Sequence, residues 1–296
     1  MSREDFKEKL RKELLKELGD GYSVRFEHVT KVNHSYEVVN IRKWHETISP
    51  VIPIEKYYLE FKAGKSIEYI AWSIIKFYNE ISCPDIKETD LYDYASIQKK
   101  IMPRVVNLGR NESLKDNVPH ICLYDLGLMV IFYVDLCMMG DTKMSFMIQN
   151  QMLKQWNVTM EDLVSDAVSN SNKDYLYTIR PLQEIMYELT GEDFFLSCDM
   201  PETYMVTDRN TKLFGARILY LSDLLKNFAE EHESDFYIIP SSVHEVLLMR
   251  ADTELSLQDL RDTVFCVNRE VLDETEFLSD DVFLYARKLN KIIRVQ

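Results

Sequence analysis

Leu128-Met129-Val130-Ile131-Phe132-Tyr133-Val134-Asp135-Leu136-Cys137-Met138 is the stretch on which the fold turns. It carries a single charge and no polar–apolar alternation. A strand with one wet face alternates, whereas a near-continuous apolar run rich in β-branched and aromatic residues reads as a strand covered on both faces. Spanning a bilayer needs about 20 apolar residues. The run from Leu126 to Met139 is shorter and is broken by Gly127 and Asp135. Strands at 104–108 and 120–126 flank it, and a Gly140-Asp141 turn leads to another around Met144 to Ile148. Helices must cover such a sheet, which predicts an α+β fold.

Upstream, residues 2–18 read as an amphipathic helix. Ser2 and Asp5 form a capping box, Phe6, Leu10, Leu14 and Leu18 form the stripe, and Gly19 ends it. Alternation in 22–45 predicts a β-hairpin turning at Asn33-His34-Ser35. Ser49-Pro50-Val51-Ile52-Pro53 must be extended. A short helix follows over 54–62, then one capped by Ser66 with Ile67, Ile70, Ala71, Ile74 and Tyr78 inward; Pro84 closes the module.

Downstream, a helix is expected over 89–101 and a helical region over about 150–189, with Thr159 and Asp162 as a second capping box. Strands at 203–207 and 213–219 surround an Asp-Arg-Asn turn. A helix over 221–232 precedes a hairpin of 236–239 and 243–249 around Pro240-Ser241-Ser242. Ser256 caps a helix to about Val267, and a last short helix covers 279–289. The expected architecture is α+β: a small N-terminal helix/hairpin/helix module, residues 1–84, followed by a larger mixed sheet-and-helix body, residues 85–296.

The net charge of −14 over 296 residues is uneven. Residues 1–110 hold 19 Lys/Arg and 17 Asp/Glu, whereas residues 111–296 hold 16 and 32. An acidic surface repels phosphate backbones, so direct nucleic-acid binding is disfavoured. Solubility explains the surplus most simply; an acidic face that docks a basic protein is the sharper alternative. The N-terminus has no apolar leader core. Cys83, Cys122, Cys137, Cys198 and Cys266 are scattered and odd in number. They read as reduced, mostly buried thiols, which points to the cytoplasm and to no membrane.

Several short motifs occur in a specific order: Ser49-Pro50 through Tyr57-Tyr58, Phe61-Lys62-Ala63-Gly64, Val106-Asn107, Pro119-His120 with Asp125, Tyr204-Met-Val-Thr-Asp208, Gly215-Ala-Arg-Ile-Leu-Tyr220, Phe236 through Val246, and Leu278-Ser279-Asp280. In this order the chain resembles the bacterial domain of unknown function 5688 family over nearly its whole length. The resemblance implies a bacterial cytoplasmic protein of one architecture and carries no activity with it.

Pro240-Ser241-Ser242-Val243-His244-Glu245 holds a nucleophile, a base and an orienting acid by type. On a regular strand over 243–249, however, His244 and Glu245 would face opposite ways. No Gly-x-Ser-x-Gly elbow exposes a serine. Structural partners for these groups are the simpler expectation. Metal binding would need His120 and Asp125 to join His244 and Glu245, because His-Glu-x-x-His fails at Leu248. No metal is expected. His28, His34, His45 and His232 read as surface residues on turns, strand edges or a helix end. Arg104, Arg110 and Lys115 flank Asn107 and Asn111, a pattern that marks a turn more simply than an anion site. No Walker loop or Gly-x-Gly-x-x-Gly occurs, so nucleotide binding has no positive signal in the sequence, and no cofactor is expected.

The expected function is that of a non-enzymatic binding or accessory protein acting on a protein partner through a surface. The alternatives are a hydrolase built on His244 with Glu245 and Ser241 or Ser242, and an acidic decoy for a basic protein.

Overall fold

A computed structural model describes residues 2–44, 46, 49–80, 91–139, 142–192, 201–270 and 272–295. The chain divides into two units, Met1–Tyr94 and Ala95–Gln296. Pro84, the Gly140-Asp141 turn, His45, Cys83 and Cys198 lie outside the described residues.

Unit 1 opens with α1 (Arg3–Leu18), where Ser2 and Asp5 form the reciprocal capping box and Gly19 ends the helix in a positive-φ conformation. β1 (Tyr22–Lys31) and β2 (His34–Lys43) form an antiparallel hairpin in register from Tyr22↔Lys43 to Lys31↔His34. Its turn is Val32-Asn33, with Asn33 at φ 61°. β3 (Val51–Pro53) joins the far side of β2 as the extended Ser49–Pro53 segment requires. α2 (Glu55–Lys62) and α3 (Ile67–Glu80) complete the unit. Phe6, Leu10 and Leu14 of α1 meet Val24, Val39 and Ile41 of the sheet and Ile70, Ala71 and Ile74 of α3 in one core.

At the boundary of unit 2, α4 (Tyr94–Ile97) and a 3-10 turn run into β4 (Ile101–Asn107), so the expected helix over 89–101 stops earlier than its pattern suggested. β6 (Leu128–Met139) pairs along one side with β4. Along its other side lie β5 (His120–Leu123) and then β7 (Thr142–Met147), with a register shift between Asp135 and Cys137. Leu128 to Val134 are all buried, as a strand covered on both faces must be. α5 (Asn150–Trp156) and α6 (Met160–Ser171) follow, the latter with the Thr159–Asp162 capping box.

The region expected to be helical to 189 is interrupted. Tyr177–Pro181 is a strand, β8, and only then does α7 (Leu182–Thr190) begin. Tyr, Thr and Ile favour strands, and β8 sits at the edge of a sheet, where Pro181 withdraws no ladder hydrogen bond. β9 (Thr203–Asp208) follows as expected. Gly215–Leu219, expected as a strand, is a 3-10 helix in which all five residues are buried, packed against β4, β9 and β11. Total burial leaves no periodicity by which sequence could separate the two forms.

α8 (Ser222–Glu231), β10 (Phe236–Ile239), β11 (Glu245–Arg250) and α9 (Leu257–Glu270) come next. The final segment corrects another expectation. Instead of a helix over 279–289, β12 (Phe283–Ala286) and β13 (Lys291–Arg294) make a hairpin through Arg287–Leu289 and Asn290. The six strands are ordered β13-β12-β10-β11-β9-β8, all antiparallel.

The cap of α6 gives a direct test. Thr159→Ala removes the acceptor for the Asp162 N–H and should lower the stability of unit 2 by about 1 kcal/mol, whereas Thr159→Asn should retain most of it. Urea unfolding followed by far-UV circular dichroism measures both.

Candidate functional site

β11 starts at Glu245, so His244 lies in the bend before it and the expected strand alternation does not reach the imidazole. His244 is instead gripped from several sides. Its carbonyl accepts from Gly215 N at 2.8 Å and Thr207 Oγ1 at 3.0 Å. Its N–H donates to Ser242 Oγ at 3.0 Å. Ring Nδ1 accepts from Phe214 N at 3.1 Å, and Nε2 stands 3.5 Å from Glu276 Oε1. Val243 N also donates to the Glu276 carbonyl, fixing that turn against the bend.

Phe214, whose amide reaches the imidazole, has φ 59°, an uncommon conformation for a bulky residue. Its ring centroid is 5.0 Å from that of His244. On Phe214 and on Tyr133 lies the Arg104 guanidinium, 3.6 Å from each centroid. Arg104 Nε is buried with no hydrogen-bond partner among the described residues, so the two rings supply its contact there. Its Nη2 donates to Asp135 Oδ1 at 3.0 Å and Ser145 Oγ at 2.7 Å, and Lys143 Nζ stands 2.7 Å from Asp135 Oδ2. Burial pulls the Arg104 pKa below its ordinary range, against the pull of Tyr133 and Asp135.

Behind the bend, Arg217 is 1% exposed and is bound by Asp208 and by Tyr177 OH, the latter at 3.0 Å. Asp208 Oδ1 accepts from Asn210 N, Thr211 N and Thr211 Oγ1, which folds the Asp-Arg-Asn turn. Burial works against the Asp208 charge, but Thr211 and Arg217 outweigh it and hold the carboxyl below the usual range. Asn107, read as a turn residue, donates to the Leu278 carbonyl at 2.9 Å and accepts from Arg110 N. Asn268 ties down Ser279 and Asp280. The short motifs scattered over Asn107, Asp208, Gly215–Arg217, His244 and Leu278–Asp280 thus fall within one unit. They brace the β9–β11 corner and the 274–281 segment beside it.

This arrangement weighs against a serine triad. A neutral imidazole that accepts at Nδ1 carries its proton on Nε2. Here Nδ1 is spent on a backbone amide and Nε2 faces a carboxylate, so neither nitrogen offers a lone pair to a hydroxyl. Ser242 is buried and accepts the backbone N–H of His244, while the Ser241 hydroxyl bonds Glu245. Of the weaker metal candidates, His120 has its Nδ1 2.9 Å from the Val118 carbonyl, and Asp125 is exposed. Among the described residues, no three His, Cys, Asp or Glu side chains gather closely enough to hold a metal ion.

Two further expectations change. His232 is not simply on the surface. It is half-buried between the Tyr204, Phe228 and Phe236 rings, bonded to the Phe228 carbonyl and 3.2 Å from Tyr204 OH. Burial and the bond to Glu202 push the Tyr204 hydroxyl up to about 12. Of the cysteines described, Cys122 and Cys137 are half-buried and Cys266 is exposed, so none is a core thiol. Phe214, Arg104 as a stacked cation and Glu276 were missed as partners of His244. Only the order of the short motifs hinted that these regions meet.

The family comparison agrees with that order. A model described as Family of unknown function (DUF5688) matches residues 3–287. The chain belongs to this family. Neither the curated proteins nor the solved structures yield a match. Membership in DUF5688 brings no reaction with it, so the chemistry rests on the geometry of this DUF5688 chain.

A second feature of this DUF5688 protein lies on α3. Opposite its buried Ile70, Ala71 and Ile74, the helix turns Tyr69 (43% exposed), Trp72 (57%) and Lys76 outward. The two rings lie 6.0 Å apart, with Lys65 Nζ 4.5 Å from the Tyr69 centroid and Lys76 Nζ 5.5 Å from that of Trp72. Phe77 flanks the stripe, also exposed. A helix apolar on two faces has more apolar surface than its own unit covers.

Two outcomes test the bend. A Cβ at Gly215 would stand 2.6 Å from Thr207 Cα and 2.7 Å from the His244 carbonyl oxygen, both backbone atoms, whereas one at Gly21 meets nothing within 4 Å. Gly215→Ala should therefore cost about 1–3 kcal/mol or more in urea unfolding, with Gly21→Ala near neutral. Burial pushes the His244 pKa below its ordinary 6.5, opposed by Glu276 and reinforced by Arg104. The unfolded chain thus takes up a proton that the folded one resists. The His244 contribution is full above about pH 6.5 and is lost as pH falls toward the depressed folded value. Glu245, raised above 4.5 by burial and by Glu276, contributes in the opposite sense: its share is present below 4.5 and lost as pH rises through its folded value. His244→Asn keeps an acceptor for Phe214 N. It should flatten the fall in the urea midpoint between about pH 7 and 5 relative to wild type, and Glu245 cancels in that difference.

Proposed function

We propose that this is a bacterial, cytoplasmic, non-enzymatic binding protein whose partner is a protein held by the outward face of α3. One observation carries this: two large aromatic side chains lie side by side in the open on a helix that already buries its other face. Solvent-exposed Trp and Tyr side by side are what interface centres use, since they bring much area at little conformational cost. Lys65 and Lys76 over the ring faces favour a partner with acidic residues around an apolar centre. The spent nitrogens of His244 support the same preference over a hydrolase.

Photocrosslinking tests it. A benzophenone side chain placed at Lys76 in the source cell is expected to give a discrete adduct with one protein, and Tyr69→Ala with Trp72→Ala should abolish it without changing the circular dichroism spectrum. An adduct that survives the double substitution overturns the assignment. So does turnover of ester, amide or phosphoester substrates by the purified chain that is lost in His244→Asn, which would restore the hydrolase.

A further inference from the structure

The outward side of the β1–β2 hairpin is a concave surface of about 380 Å3 lined by Ser23, Arg25, Glu27, Asn40, Arg42, Lys43 and Trp44. Its composition follows from strand alternation. Val24, Val39 and Ile41 point into the core, so Ser23, Arg25 and Glu27 of β1 and Asn40 and Arg42 of β2 share the other face, with Trp44 continuing the row. The register sets Arg42 opposite Ser23 and Asn40 opposite Arg25. Arg25 and Arg42 thus share that face, Lys43 lines the same concavity from the end of β2 near Trp44, and Glu27 lies at the opposite end.

Among the described residues those cations form no ion pair. The ion pairs of unit 1 engage Arg3, Lys7, Lys16 and Lys76 and leave out Arg25, Arg42 and Lys43. In a chain of net charge −14, a concave patch with three uncompensated positive charges and one negative is a local reversal of field, and such a patch concentrates anions. Arg42 is held in place by its Nε bond to the Glu46 carbonyl at 2.7 Å, which leaves its terminal nitrogens to serve as a fork. Asn40 accepts from Ser49 at 2.7 Å and is thereby oriented. Trp44, 65% exposed, offers a flat face beside the cations.

We propose that this surface binds a ligand of the nucleoside monophosphate class, its phosphate on Arg25, Arg42 and Lys43 and its base against Trp44. A planar indole beside a guanidinium pair matches a flat ring joined to a compact anion better than it matches either alone. The volume lies at the small-molecule end of ligand sites. Two features select a free nucleotide over a nucleic-acid strand. A chain of phosphates running on along β1 would meet the Glu27 carboxylate, and the excess of acids beyond residue 110 repels a long polyanion. This surface is separate from the α3 face and stands or falls independently of it.

Isothermal titration of the full-length chain at low salt, with AMP, GMP, CMP and UMP as probes, tests the site. Inorganic phosphate, adenosine and a ten-nucleotide single strand serve as comparison arms. At least one mononucleotide is expected to bind, more tightly than either phosphate or its nucleoside, and less tightly as salt rises. Arg25→Gln and Arg42→Gln should each weaken it about tenfold, the loss of one charge-assisted contact. Lys replacements, which keep charge without the fork, should weaken it less. Trp44→Ala should weaken nucleotides and leave inorganic phosphate unchanged, and Trp72→Ala should change nothing. All these positions are exposed, and circular dichroism checks that each variant folds. The proposal is overturned if no mononucleotide binds at millimolar concentration, or if the arginine variants bind as wild type does. Phosphate binding as tightly as the nucleotides, or the single strand outbinding them per nucleotide, overturns it equally.

Discussion

A backbone carbonyl and a missing side chain hold the larger unit in its shape. The His244 oxygen receives Gly215 N and Thr207 Oγ1, and the approach is so close that only a residue without a Cβ fits between β9 and the bend. Everything near it follows from that contact. Phe214 must turn through a left-handed conformation to bring Gly215 in, which aims its amide at the imidazole and lays its ring beneath Arg104. Arg217, two residues on, is carried into the interior and must find Asp208 and Tyr177 there. A buried pair of this kind is weak evidence for stability in itself, but removing one partner would strand the other charge.

The polar residues around His244 are catalytic by type, and their geometry ties them to the bend. Serine, histidine and glutamate all occur within five residues, yet each spends its hydrogen-bonding capacity on the bend. Here the tautomer carries more weight than distance. An imidazole whose lone pair is taken by a main-chain amide cannot serve as a base until that bond breaks.

Local chemistry was the most legible part of the sequence. Both capping boxes and the double-faced burial of β6 follow from short-range rules and occur where those rules put them, and the first hairpin forms with its turn at Val32-Asn33 instead of Asn33-His34-Ser35. The misses share one cause. Gly215–Leu219 and Phe283–Ala286 take their form from what surrounds them: one is buried at every residue and the other is paired on both edges. Tyr177–Pro181 was hidden between helices and owes its strand to β9. At the candidate site, His244 could be singled out from sequence but its neighbours could not. Glu276 and Phe214 lie about thirty residues away on either side, and Arg104 lies in a different sheet. The outward aromatic row of α3 was visible as letters, but a helix with apolar residues on most of its circumference gives no sign of which side is covered.

The order of the six-stranded sheet has a bearing on which of its edges another strand could reach. Its two outermost strands are β8 and β13, the places where a stray chain could add itself. β8 ends in Pro181, which has no N–H to offer, and Arg180 is tied to Glu188 beside it. β13 is four residues long and exposes Lys291 and Arg294 along its run. An incoming strand would have to desolvate those cations to gain a brief ladder, so both rims discourage the templated growth by which open sheets aggregate.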